Sequence, residues 1–477
     1  MSYLHGVETI ETQSGGASVT LVKTAVIGLI GTAVGGAVNQ IIVVSGDRDF
    51  AQFGPAVPNA TIRAALTAIF DQGPTVVQVI NVLDPAIHNT AVAGEALTLN
   101  AADTATLAHP GIVTALPSAI KSPDGATTYE PGTDYVLDTL NGIVTRVATG
   151  AIARSATLSA SYSYADPSQV TQAEIIGGID AAGLRTGMQK LLDGYSTLGY
   201  LAKLLIAPVY STFASVSSAL ETVAGKIRAI SYRDAPAGLT VQQAVEARGP
   251  AGVVNFFTSS ERSALCYPHV EVLDETTNAN VIEPLSARAA GLQALVDQQL
   301  GYWFSASNNQ LGGVLGLERP IYAMINDPNS DTNLLNAAGI MTIFASYGTG
   351  YRLWGNRSAA FPASTEPTQF ICVRRTADVI EESLEYFTLQ YVDKPISNGD
   401  IDAILESANG FLRKLVGDGA IIDGRAWFDP TLNPATELAA GWIQLSYDFM
   451  PPPPAERITY QATVNINYLN QLGSTQQ

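Results

Sequence analysis

The sequence predicts an α+β chain of several domains. An α/β-type body carries an inserted β-rich domain, and an α+β part follows with extended strand arms. Three observations predict this. Apolar strand and helix patterns alternate over residues 24–82 and again from Gln169. Helical periodicity disappears over residues 86–165, where Ala, Thr, Ser and Gly dominate. A long alternating segment, 457–468, follows four consecutive prolines.

Residues 1–22 read as an N-terminal arm, polar and glycine-tipped, with a short extended piece from Val7 to Ile10. No basic region precedes an apolar run there, so no signal peptide is expected. Residues 24–30 and 40–44 are apolar runs, read as buried strands. The uncharged stretch 24–46 is not read as a membrane span. Gly28, Gly31, Gly35, Gly36 and Asn39-Gln40 divide it into pieces too short to cross lipid. Ile62, Ala65, Leu66 and Ile69 recur at helical spacing over 61–70. Gly73-Pro74 ends that helix, and 75–82 is the next strand.

Residues 23–85 thus form the first part of the body, and 86–165 the insertion. Within the insertion, Asn141-Gly142 predicts a tight primed hairpin turn. Residues 157–164 alternate, with Leu158, Ala160, Tyr162 and Tyr164 on one face and Thr157, Ser159, Ser161 and Ser163 on the other. The second part of the body is 166–340. Strands are expected at 201–209, 227–232, 252–258 and 270–273, with helices at 216–225 and 241–248. Pro284 opens a long helix reaching Gln299.

In the last part, 341–477, Thr376 is read as the cap of a helix with a stripe of Ile380, Leu384, Phe387 and Tyr391. Glu381, Glu382 and Glu385 then fall on a solvated face. Ser397, three residues before Asp400, has a capping-box pattern. The helix it opens puts Ile401, Ile404, Leu405, Ala408, Leu412, Leu415 and Val416 on one face. Residues 442–449 read as a strand and 451–454 as a stiff extended spacer. Beyond it, Ile458, Tyr460, Ala462, Val464, Ile466 and Tyr468 alternate with Thr459, Gln461, Thr463, Asn465 and Asn467. A strand placed after such a spacer presents unpaired backbone groups. Its natural use is addition to a neighbour's sheet.

The 477 residues carry a formal net charge of −18. That balance excludes a nucleic-acid backbone as the main partner and argues against an anionic membrane surface. Only 14% of residues are charged, below the roughly 25% usual for globular domains. A surface so poor in charge is expected to be covered by other protein. Cys266 and Cys372 stand in apolar settings and read as reduced core residues. They exclude a disulfide scaffold and a four-cysteine zinc site.

The four histidines include no helical zinc pair. Gly31 to Gly36 has phosphate-loop spacing, but Ala37 stands where Lys is required. No G-x-S-x-G elbow occurs, and the glycine-rich stretch 346–353 lacks the third glycine of a dinucleotide fingerprint. Residues 350–355 read as strand-turn-strand with Trp354 filling a core, in preference to a sugar or cofactor cradle. No catalytic, cofactor-binding or metal-binding residue is predicted, and no enzyme activity. The competing class is an α/β enzyme or carbohydrate-binding protein with a β-sandwich insertion.

The C-terminal third carries a family resemblance. Leu334-Leu-Asn-Ala-Ala-Gly339-Ile340 leads to Tyr351-Arg-Leu-Trp354-Gly-Asn-Arg357, then Phe370-Ile-Cys-Val-Arg374-Arg375, Ile380-Glu-Glu-Ser-Leu384 and Phe411-Leu-Arg-Lys-Leu-Val-Gly-Asp-Gly419-Ala420. This order resembles the contractile tail sheath proteins of bacteriophages, which are related to contractile bacteriocins and type VI secretion sheaths. His5-Gly6-Val7, residues 24–31, Asp49-Phe50 and Phe53-Gly54 look like the family's opening. Asn356-Arg357-Ser358 stands in place of a Gly-Ala-Arg-Thr-like turn. Tyr129 to Tyr135 and Ser161 to Ala165 resemble parts of the protruding domain of the larger phage sheaths.

The resemblance implies a structural subunit that polymerises helically around an inner tail tube and contracts to drive the tube through a target envelope. It implies an α/β-type middle body (23–85 and 166–340), a protruding insertion (86–165) and an α+β inner, tube-facing domain (341–477) carrying the C-terminal arm. The implied partners are further copies of the chain, the tail tube protein, and baseplate and tail terminator proteins. No cofactor, direct nucleic-acid contact or membrane insertion is implied. The implied place is the virion tail, after assembly in the host bacterial cytoplasm. Strand arms exchanged between subunits are expected at Val7 and Ile10, and at Ile458, Tyr460, Ala462, Val464, Ile466 and Tyr468. Arg413 and Lys414 are the candidate tube contacts; the alternative is that Arg413 pairs along its own helix with Glu406.

Overall fold

The structure is a computed structural model. It describes residues 19–472 apart from 251, 253, 275, 276, 347, 349 and 396. The body opens with β1 (Val26–Gly31), buried along its whole length, as a strand covered on both faces must be. β2 (Ile41–Val44) is only half-buried; it lies at a sheet edge. α1 (Ile62–Phe70) turns Ile62, Ala65, Leu66 and Ile69 inward, as their spacing predicts. β3 (Val76–Asn81) then pairs with β1 in parallel.

The segment after β3 contains β4 (Asn89–Thr98), β5 (Thr104–Thr106), β6 (Ala119–Lys121), β7 (Thr128–Tyr129), β8 (Tyr135–Asp138), β9 (Ile143–Arg146) and β10 (Thr157–Ala165). They form a four-stranded sheet, β4-β10-β6-β7, and a three-stranded one, β5-β9-β8. Between the sheets lies a separate core that includes Leu97, Leu107, Tyr135, Val144, Leu158, Ala160 and Tyr162. The β4–β10 register slips between Ala160 and Tyr162, because β4 carries an extra residue beside Gly94 (φ 70°). Gly94 N–H donates to Ser161 Oγ at 3.1 Å. Along β10 the expected strict burial alternation fails at Ser163, which is buried next to Tyr162. The β8–β9 turn also differs from expectation. Residues 139–142 form a wider loop with only Gly142 at positive φ. Asp138 Oδ1 holds it by accepting from Leu140 and Asn141 N–H, both at 3.1 Å.

The body resumes with short helices α2 (Gln172–Ile176) and α3 (Gly194–Leu198), followed by β11 (Leu204–Ile206), α4 (Ala214–Ile227) and β12 (Ile230–Asp234). β11 is shorter than the expected 201–209. Ile227 belongs to α4, since Arg228 at φ 49° is the left-handed residue that ends the helix. After α5 (Val241–Glu246), the strand expected at 252–258 is replaced by a 3₁₀ turn, Val254–Phe256. Side chains take the backbone groups a ladder would use. Arg233 Nη1 donates to Asn255 C=O, and the Asn255 amide donates to Asp234 C=O. The strand is instead β13 (Ser263–Cys266).

β14 (Val270–Asp274), β15 (Ala279–Glu283), α6 (Ser286–Gln299), β16 (Gly316–Leu317), α7 (Asp331–Ala337), β17 (Ile340–Ser346) and β18 (Gly350–Trp354) complete the body. The central sheet has the order β18-β17-β13-β12-β11-β1-β3-β2. Its six inner strands are parallel and both edge strands antiparallel. Alternate residues of β1 face two cores. Ile27 and Leu29 pack with α1 and α6, while Val26 and Ile30 pack with α4. The sheet therefore runs through β17 and β18, past the expected body boundary at 340.

α8 (Ile371–Thr388) begins well before Thr376, so Thr376 is not its cap. The Thr376 hydroxyl instead donates to Cys372 C=O inside the helix at 2.8 Å. α9 (Asn398–Asp418) starts at Ser397, whose hydroxyl accepts from Asp400 N–H, as expected. β19 (Asp423–Phe428), α10 (Ala435–Ala439) and β20 (Leu445–Met450) follow, and the two strands pair antiparallel. Val379, Ile380, Phe411, Leu412, Leu415 and Ile421 form the core here, with Val19 and Val22 packed against it.

Candidate assembly surface

Past Met450 only Pro451 is buried; from Ala455 to Leu472 the chain is exposed. Tyr460 and Val464 are 90% and 94% exposed. Ile458, Ala462, Ile466 and Tyr468 are exposed too. The alternating segment finds no strand partner among the described residues. A lone strand lacks the ladder that would hold it extended. Its end accordingly closes into a 3₁₀ turn, Ile466–Gln471, where Asn465 Oδ1 accepts from Asn467 N–H. The strand expected through Tyr468 is thus not formed, and its last two apolar positions lie in that turn. Val7 and Ile10 lie outside the described residues.

The β19–β20 hairpin has two different edges. Asn409, projecting from α9, donates to Ala426 C=O at 2.9 Å and accepts from Ala426 N–H at 2.8 Å. Ala426 therefore faces away from β20. In an antiparallel pair, a residue facing outward stands opposite another facing outward, and the pattern repeats every second residue. Gly424, Ala426 and Phe428 line the outer edge of β19. Their partners Phe449, Tyr447 and Leu445 line the outer edge of β20. The Gly424 N–H is satisfied by Asp423 Oδ1 at 2.8 Å. No described group takes the outward backbone of Leu445, Tyr447 or Phe449. One edge is closed and the other open.

α8 joins this unit to the body through ions. Lys203, just before β11, donates to Glu382 Oε2 at 2.5 Å, and Tyr195 OH donates to Glu382 Oε1 at 2.5 Å. Arg262 grips Asp378 with two hydrogen bonds of 2.6 and 2.7 Å. Arg375 grips Asp297, and Arg374 reaches Asp378 and Glu381, each at 2.9 Å. Arg228 holds Glu385 at 2.5 and 2.6 Å. The solvated acidic face expected here holds only for Glu385, which is exposed though paired; Glu382 is buried and Glu381 is half-buried and paired. Burial pushes the Lys203 pKa down, opposed by Glu382. The hydrogen bonds to Glu385 push the Arg228 pKa up.

Arg413 and Lys414 lie on the outer face of α9, 67% and 59% exposed. Arg413 stands 3.7 Å from Glu406, and Lys414 pairs with Asp418 at 2.9 Å. Cys266 and Cys372 are free and buried. Among the described residues, no cluster of His, Cys, Asp and Glu is arranged to hold a metal, and no helix is long and apolar enough to cross a membrane.

Residues 177–359 match the phage tail sheath protein central domain, and 363–465 match the phage tail sheath C-terminal domain. The chain is 54% identical over 470 residues to the tail sheath protein of Burkholderia phage BcepMu, covering 98% of each. The chain belongs to the phage tail sheath protein family. The tail sheath protein of Escherichia phage P2 is 31% identical over 63% of this chain and 73% of its own. Residues 85–174 also match a protein family of unknown function.

Solved structures share the fold of this sheath protein. The contracted helical sheath of the anti-feeding prophage gives a TM-score of 0.60 at 18% identity, covering 98% of this chain and 100% of that one. The contracted sheath of the PVC extracellular contractile injection system gives 0.58 at 15% identity, covering 98% and 99%. The chain is a structural subunit of a tail sheath.

Sequence reasoning found the exposed arm of this sheath subunit through its alternation. It missed Asn409, whose role depends on the register of β19, and the ion-paired joint along α8. The charges around Arg374, Arg375 and Glu382 were a signal for that joint, but they read as solvated.

Proposed function

We propose that this subunit polymerises helically with copies of itself around an inner tail tube, then contracts to drive the tube through a target envelope. The observation that carries the reading is the pairing of two unsatisfied surfaces. The arm at 457–468 is an exposed alternating segment without a sheet, and β20 is a sheet edge without a strand. Donation of the arm to β20 of another copy satisfies both. Head-to-tail contacts that do not close on themselves build a helix. The N-terminal arm, with Val7 and Ile10, makes the second link. The body, which extends through β18, is the middle layer, the insertion (86–165) protrudes, and the unit that follows β18 faces the tube.

Contraction needs no nucleotide, cofactor or catalysis. The free energy lies in the difference between two packings of the same subunits, held back kinetically. The partners are the tube protein, the baseplate and the terminator, and the place is the virion tail after assembly in the host cytoplasm. Arg413 and Lys414 are exposed cations on an acidic chain, which supports a role in gripping the tube. Their pairing with Glu406 and Asp418 is weak at such exposure.

Electron microscopy of the purified chain tests the reading. Hollow cylinders are expected, and deletion of 458–477 should abolish them while the circular dichroism spectrum stays unchanged. A stable monomer at high concentration, or cylinders from the truncated chain, counts against strand donation. The Arg413→Glu, Lys414→Glu double variant should fold and self-assemble but lose co-assembly with tube protein. Normal co-assembly sinks the tube assignment.

A further inference from the structure

Arg357 is held in place without help from the arm. Its guanidinium lies 4.0 Å from the Phe361 ring and 4.7 Å from the Phe370 ring. Nη1 donates to Gln369 Oε1 at 2.7 Å, and its backbone is bridged to Phe370. The remaining side of the fork receives Glu456. Nε donates to Glu456 Oε1 at 2.8 Å and Nη2 donates to Oε2. This is the two-bond geometry in which Arg recognises a carboxylate, and stacking on aromatic rings pre-sets the planar group. Between Pro451 and Asn470, the pair is the last described contact with the body. From Arg457 to Asn470, no described hydrogen bond or ion pair reaches the body.

We propose that Arg357 is a socket that clips the root of the C-terminal arm and aims it at a neighbouring copy. The inference rests on the arm being a strand donor. The proline run between β20 and the clip is a semi-rigid rod of ~12 Å at the rise of polyproline. Anchored at buried Pro451 alone, that rod pivots, and everything beyond it sweeps a wide volume. Anchored at Glu456 as well, the rod has a fixed direction and only the residues after it search for the acceptor. Confinement of a tethered strand raises its effective concentration at the site it is aimed at. Arg357 and Glu456 are 20% and 35% exposed, so the clip is ionic and open to screening by salt.

A nitroxide label at Ala462→Cys reports arm mobility in chain kept below its assembly concentration; the native cysteines are both buried. Light scattering reports the assembly rate. Glu456→Gln should sharpen the label's spectrum and slow assembly about 10-fold, while Glu456→Asp, which keeps the charge, stays within about threefold of the parent. Arg357→Gln should match Glu456→Gln; if that variant fails to fold, the Glu456 pair decides the matter alone. An unchanged spectrum and assembly rate in Glu456→Gln overturn the clip. Cylinders formed by the chain lacking 458–477 overturn strand donation instead, and label mobility, read without assembly, separates the two failures.

Discussion

Lys203 and Glu382 meet at 2.5 Å where each side chain is less than a tenth exposed. Lys203 also donates to Ile227 C=O at 2.8 Å, and Glu382 accepts from Tyr195. The pair therefore ties the start of β11 and the end of α4 to the middle of α8. A buried pair gains its worth from completeness, because either ion alone keeps its desolvation penalty. Glu382→Leu should cost about 3–5 kcal/mol by stranding the ammonium, whereas the Lys203→Met, Glu382→Leu double variant should recover most of that loss. Urea unfolding of unassembled chain measures both. A double variant as unstable as the single one argues against this account of the joint.

The Arg228–Glu385 pair makes the same joint sensitive to acid. Hydrogen bonds from Arg228 hold the Glu385 carboxyl below its ordinary range, against a smaller opposing effect of burial. A depressed carboxylate pKa contributes stability that is present above the unfolded value, about 4.3, and is lost as pH falls through the lower folded value. Glu385 is 61% exposed, which keeps the contribution below about 1 kcal/mol. Glu385→Gln should lower the melting temperature more at pH 7 than near pH 3, since the stabilisation shrinks once the pH is below the unfolded value. Equal differences at both pH values contradict the assignment.

These ion pairs also show where the sequence was legible. β1 and β3 stand out as apolar runs because both faces are buried. α1 and α9 stand out because a single apolar stripe decides their orientation. α8 was misread at its start because Cys372, Val373, Arg374 and Arg375 are all buried, so no stripe marks the first turns. Arginines buried against Asp297 and Asp378 look, in one dimension, like a solvent face. β13 was missed for a related reason. Residues 252–258 had the stronger strand composition, and only the hydrogen bonds of Arg233 and Asn255 show why they do not pair. The exposed segment 457–468 was legible through its period of two. The open edge of β20 was not, because which backbone groups face outward depends on the β19–β20 register.

That register makes a sharp prediction about β20. Tyr447 faces outward, so its N–H is not used by β19 and is open to an added strand. Tyr447→Pro should leave the subunit folded, within about 1–2 kcal/mol, since proline is tolerated at a strand edge whose N–H is unpaired. The same change should abolish cylinders by removing a donor from the acceptor edge. Ser446→Pro is the contrasting variant. Ser446 faces β19, so proline there removes a hydrogen bond of the hairpin itself and should unfold that unit. Asn409→Ala tests the closed edge. It should cost about 1 kcal/mol and expose a second accepting edge, turning ordered cylinders into irregular aggregates. Microscopy and thermal unfolding of the three variants separate these outcomes. Normal cylinders from Tyr447→Pro would place the acceptor away from β20, because a strand joined there needs the donor that proline removes.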